Sequence, residues 1–146
     1  MRVSSRFTMA VHLLACAHVF RNRKVTSDFI ASSIGTNPVV VRRLLQKLKA
    51  AGLIEVTRGT GGVTITRPLA EITLLDIYRA TEGDDSTGLF HFHENPNELC
   101  PVGRNIHRAL DGRLERAQQA FEHELSRMTL AEVLADIPLD GTDEQP

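Results

Sequence analysis

The sequence predicts a mainly α-helical chain with one small β-hairpin and a long helix in its second half. Three observations carry this. Apolar residues recur at helical spacing on both sides of a break at Gly35. Polar and apolar residues alternate on both sides of Gly59-Thr60-Gly61-Gly62. A continuous apolar stripe then steps from Val102 to Leu125. At 146 residues the chain suits one domain, or a small domain with an appendage. No apolar run approaches the roughly 18 residues of a membrane span. The patch Ala10–Ala17 follows only Arg2 and Arg6 and reads as helix rather than signal peptide. Cys16 and Cys100 make no disulfide framework, which suits the reducing cytoplasm.

The first helix spans Ser4 to Phe20, with Phe7, Val11, Leu14 and Ala15 on one stripe. Thr26 or Ser27 caps a short second helix that runs through Ile34. Asn37 is a good N-cap, and Pro38 fits the first helical position, where a missing N–H costs nothing. The third helix runs to about Ala51, with Gly52 as its stop. Its inward stripe is Val41, Leu44, Leu45 and Leu48, and its outward face is Val39, Arg42, Arg43, Gln46 and Lys47. Strands are expected at 54–58 and 63–66, closed by Pro68. Thr73 caps a fourth helix with Leu74, Leu75, Ile77 and Tyr78, and residues 83–97 form a polar loop. The stripe Val102, Ile106, Leu110, Leu114, Ala117, Phe121 and Leu125 belongs to a helix about 37 Å long. A domain this small cannot cover it, and a second copy of the same helix is the simplest partner. Thr129 and Glu132 form a capping box for a last helix with Leu130, Val133, Leu134 and Ile137.

Net charge is −1, but the halves differ sharply. Residues 1–67 hold 11 Lys and Arg against Asp28 and Glu55, a net of +9. Residues 68–146 hold 6 Arg against 16 acids, a net of −10. Such a split points to a polyanion partner for the first half alone. Three short helices followed by a glycine-tipped hairpin describe a winged helix-turn-helix, in which one helix enters the major groove of DNA. Arg42 and Arg43 can bond guanine bidentately, Gln46 can pair with adenine, and Val39 can touch a thymine methyl. Arg2, Arg6, Lys24, Lys47, Lys49 and Arg58 are expected to hold phosphates.

The chain resembles the Rrf2-type transcriptional regulators from Met1 to about Ile137. The residues that carry the likeness are Arg2-x-Ser4-x-Arg6-Phe7, Asn37-Pro38-Val39-Val40-Val41-Arg42-Arg43 and Leu48-x-x-x-Gly52-Leu53-Ile54. Arg58-Gly59-x-Gly61-Gly62 and Cys100-Pro101 complete it. The resemblance implies a homodimeric DNA-binding regulator, usually a repressor, whose long helices cross to form the dimer. It implies groove reading by Val39, Arg42 and Arg43, and a minor-groove wing at Arg58, Gly59 and Thr60. With Ser4, Asn37, Arg2, Arg6, Gln46 and Lys47, these make the expected DNA-binding set. The expected division is a winged helix-turn-helix over 1–67, a helical dimerisation region over 68–137, and a flexible acidic tail over 138–146.

Two positions depart from the family pattern. The wing continues Gly62-Val63-Thr64 where Gly-Gly-Tyr is usual. Cluster-binding members carry three cysteines before the long helix, but here only Cys100 is present, with Glu94 and Gly88 at the other positions. No cofactor is therefore expected, and the chain resembles the cluster-free branch. His91, His93 and Cys100 match no common zinc spacing, so no metal site is assigned. Cys100 at a helix start is a candidate sensor, while Cys16 reads as packing. The glycine loop lacks the Lys-Ser/Thr of a phosphate loop, and no nucleophile sits beside a base, so no enzyme is expected. Alternatives are a thiol- or metal-responsive form of the same regulator, a winged-helix protein-interaction module, and a small redox enzyme using Cys100.

Overall fold

A computed structural model describes residues 4–59, 62–83 and 88–139. In chain order the elements are α1 (Ser5–Val19), α2 (Ser27–Ile34), α3 (Pro38–Ala50), β1 (Ile54–Val56), β2 (Val63–Ile65), α4 (Leu74–Glu82), α5 (Pro101–Ser126) and α6 (Leu130–Ala135). A single 3-10 turn, Leu69–Glu71, follows Pro68 and was not expected from the sequence.

Every helix except α5 begins where a side-chain oxygen accepts from an orphan amide. Ser4 Oγ accepts the Arg6 amide at 3.0 Å, and Thr26 Oγ1 accepts the Phe29 amide at 3.1 Å. Asn37 Oδ1 accepts the Val40 amide at 3.1 Å, with Pro38 at the first helical position. Thr73 starts α4 with a full capping box to Asp76, a partner the sequence reading had not assigned. Thr129 and Glu132 make the expected box at α6. Between α2 and α3 the chain reverses at Gly35, whose φ of +83° is a left-handed conformation that side chains resist.

The hairpin pairs antiparallel, Ile54 with Ile65 and Val56 with Val63. Both strands are shorter than expected: β1 ends at Val56 and β2 at Ile65, with the Thr57 amide bonded to the Gly62 carbonyl just beyond them. One apolar core gathers Leu13, Leu14, Ile30, Val41, Leu44, Leu48, Leu53 and Ile54 from the first 67 residues. It also takes in Ile72, Ile77 and Leu130, each fully buried. The core therefore crosses residue 67. The starts of α4 and α6 are laced by backbone bonds, with the Leu74 amide on Met128 O at 2.9 Å and the Leu130 amide on Ile72 O at 2.8 Å. α6 stops at Ala135, two residues before the end of its expected stripe, and Ile137 is exposed.

α5 is the outlier. Of its 26 residues only Leu125 is buried. Its C-terminal end rests on α4, where Tyr78 lies edge-on between Phe121 and Phe7 at 5.3 and 6.1 Å. Its N-terminal end leaves Val102 68% exposed, next to Leu99 at 91%. No helix among the described residues is long and apolar enough to cross a membrane.

Candidate nucleic-acid interface

The two faces of α3 separate as the sequence requires. Val41, Leu44, Leu45 and Leu48 are buried and hold the helix to α1 and α2. Val39, Arg42, Arg43 and Gln46 are exposed along the opposite side, within two turns of one another. A buried stripe on one side fixes which way the other side points, so these four side chains form one surface. Asn37 begins the same helix, with its carboxamide oxygen committed to the cap. Lys49 is exposed at the far end of α3, and Lys24 is exposed just ahead of α2.

Two expected phosphate contacts are already engaged within the chain. Lys47 is half-buried and donates to the Thr81 carbonyl at the end of α4, at 3.4 Å. Arg6 donates from Nε to Ser4 Oγ at 2.9 Å and from Nη2 to Glu82 Oε2 at 3.2 Å. Ser4 thus serves both the α1 cap and the Arg6 side chain. Neither Thr81 nor Glu82 was singled out from the sequence. The available signal was the helical spacing of Tyr78, Thr81 and Glu82 on a helix that had to pack somewhere. Arg23, counted in the basic half, lies over the Phe29 ring at 4.8 Å and the Phe20 ring at 5.7 Å. Arg58 and Gly59 are exposed at the described edge of the wing, and Gly59 has a φ of +81°. Arg2 and Thr60 lie outside the described residues.

The two cysteines differ as expected from their places. Cys16 is buried against α2, where its thiol donates to Ser33 Oγ at 3.4 Å, and burial raises its pKa. Cys100 is exposed at the N-cap of α5, and the amides of Gly103 and Val102 lower its pKa. His107 does not reach the Cys100 thiol. Its Nε2 lies 3.0 Å from the His93 carbonyl, and its ring stands against Phe92 and His93. Among the described residues no group of three His, Cys, Asp or Glu could hold a metal ion.

A recognition helix with a polar outer face, a preceding helix across a tight turn and a hairpin beyond define a winged helix-turn-helix regulator that binds DNA. The family profile of Rrf2, described as an iron-dependent transcriptional regulator, matches residues 3–136, and the chain belongs to that family. It is 40% identical over 132 residues to the HTH-type transcriptional regulator YwnA of Bacillus subtilis, covering 90% of this chain and 96% of YwnA. A solved structure described as a DNA-binding protein is 37% identical, with a TM-score of 0.72 over 89% of this chain and 99% of that one. The oxidised form of Staphylococcus aureus CymR shares the fold at 21% identity, with a TM-score of 0.69 over 95% of this chain and all of CymR's. The family and YwnA are transcriptional regulators, not enzymes.

The family's iron dependence can be tested on the donors present. Iron–sulfur clusters are held by several thiolates. This chain offers one exposed thiol, Cys100, while Cys16 is packed inside α1 and bonded to Ser33. That set does not fit a cluster.

Proposed function

We propose that the chain works in the cytoplasm as a homodimeric repressor, reading a near-palindromic DNA site without an iron–sulfur cluster. The observation that carries this is the exposed row Val39, Arg42, Arg43 and Gln46, set over a wholly buried stripe. In this reading α3 enters the major groove and the wing at Arg58, Gly59 and Thr60 follows the minor groove. Ser4, Arg6, Asn37, Lys47 and Arg2 flank the phosphates. Dimerisation is supported by α5, a helix about 39 Å long whose first turn carries exposed Val102, with exposed Leu99 just ahead of it. The experiment is selection of genomic fragments by the purified protein, with its mass measured by light scattering. Recovery of an inverted repeat by a species of twice 16.2 kDa supports the reading. Retention of no fragment over random DNA overturns it.

A second reading, a thiol-responsive form of the same regulator, has the exposure and lowered pKa of Cys100 in its favour. Repeating the selection after mild oxidation separates the two: loss of binding in the wild type but not in Cys100→Ser favours the sensor.

A further inference from the structure

Glu82 ends α4, and its surroundings are unfavourable for a carboxylate in three ways. Its side chain is only 10% exposed, it stands at the negative end of a helix, and its Oε1 is buried without a hydrogen-bond partner among the described residues. Opposing these is the Arg6 guanidinium at 3.2 Å, brought from 76 residues away at the start of α1. A buried carboxylate left without its cation is strongly destabilising, so Arg6 is not readily surrendered. Meanwhile the Arg6 side chain is 42% exposed, and Ser4 Oγ fixes its Nε. The guanidinium is therefore held in one place with part of its surface still turned to solvent.

We propose that Glu82 is a positioning residue for the DNA-binding face: it fixes the Arg6 guanidinium and offsets its charge. The inference rests on the reading of that face given above. Glu82 touches no DNA itself. It acts through Arg6, holding the cation beside the α1 cap while limiting how much charge α1 presents to the phosphate backbone. The chain's non-specific affinity is thereby kept below what its basic half would otherwise give, which favours release from sites that α3 does not read.

The test is the salt dependence of binding by the full chain to a labelled mixed-sequence duplex of about 40 base pairs, followed by anisotropy from about 50 to about 200 mM salt. Glu82→Gln is expected to bind more tightly at low salt, with the slope of log affinity against log salt steeper by about 0.9. In an Arg6→Gln background the same change is expected to give less than half of that gain. Glu82→Asp, which keeps the charge one methylene further back, provides a second variant should Glu82→Gln fold poorly, and an intermediate slope is expected. An unchanged or shallower slope in Glu82→Gln overturns the proposal, as do equal gains in both backgrounds or, where Glu82→Asp has to be used, a wild-type slope. Wild-type protein with no salt-dependent binding refutes the DNA-binding reading itself, and this inference with it.

Discussion

Changing Arg42 to alanine separates sequence choice from general attraction to DNA. The residue is exposed, while its neighbours Val41, Leu44 and Leu45 carry the packing of α3. Alanine is also the best helix former, so folding stability should stay within about 0.5 kcal/mol of the parent. A bidentate arginine–guanine contact discriminates by about 1–3 kcal/mol, which corresponds to a loss of roughly 5- to 150-fold on the preferred duplex. On scrambled duplex only the charge is lost, and the decline should be a few-fold at moderate salt. The ratio of the two affinities should thus contract by about the factor lost in base reading. Lys24→Ala is the counterpart. Lys24 is exposed ahead of α2 and should weaken both duplexes alike, lowering the salt slope by about 1. Competition titrations with the selected and scrambled duplexes measure both. Equal losses on both duplexes from Arg42→Ala, or a change of preference from Lys24→Ala, would refute this division of roles.

Other expectations follow from the same geometry. If the proposed dimer forms through α5, Val102→Glu, which puts a charge at a residue 68% exposed in the single chain, should halve the mass seen in sedimentation and leave the folded protomer intact. Leu130→Ala empties a fully buried site that joins α6 to the main core, and should cost about 2–5 kcal/mol, read by urea unfolding. Cys100, with its pKa lowered, holds more thiolate at a given pH than an ordinary thiol, whereas Cys16 holds less. Iodoacetamide should label Cys100 first, and its rate should begin to rise at a lower pH than that of a free thiol, as mass spectrometry of the labelled peptides will show. Faster labelling of Cys16 would contradict the burial on which that ordering rests.

The legible parts of this fold are those set by local chemistry. Asn37-Pro38 marks the start of α3 because a side-chain acceptor and an absent N–H suit the first turn, whatever packs above it. The stripe Val41, Leu44, Leu45 and Leu48 gives the face of α3 because burial follows helical period. Thr129 and Glu132 announce α6 in the same way. What stayed hidden depends on residues far apart in sequence. Glu82 meets Arg6 only because α4 packs on α1, and Thr81 meets Lys47 only because α4 also packs on α3. A reading of the first 67 residues by themselves gives both cations to phosphate and shows neither internal partner. Alternation marks where a ladder can form and not where it ends: β1 stops at Val56 and β2 at Ile65, although the Thr57 amide still meets the Gly62 carbonyl and the Thr66 amide the Leu53 carbonyl.

These partners change what the charge of the basic half means for binding. Of the ten Lys and Arg among the described residues up to 67, Arg6, Arg23 and Lys47 are half-buried against Glu82, two phenylalanine rings and the Thr81 carbonyl. The other seven, Arg21, Lys24, Arg42, Arg43, Lys49, Arg58 and Arg67, are exposed. If every cation of residues 1–67 released a counterion, eleven would give a salt slope of about 10 per protomer, whereas these seven together with Arg2, which lies outside the described residues, give a ceiling of about 7. Non-specific binding measured on mixed-sequence duplex should therefore fall at or below the lower figure. A slope clearly above about 7 per protomer would mean that the internal partners let their cations go when DNA arrives. In that event the contacts of Glu82 and Thr81 describe the free protein alone, and the basic half acts on DNA with the full charge its sequence carries.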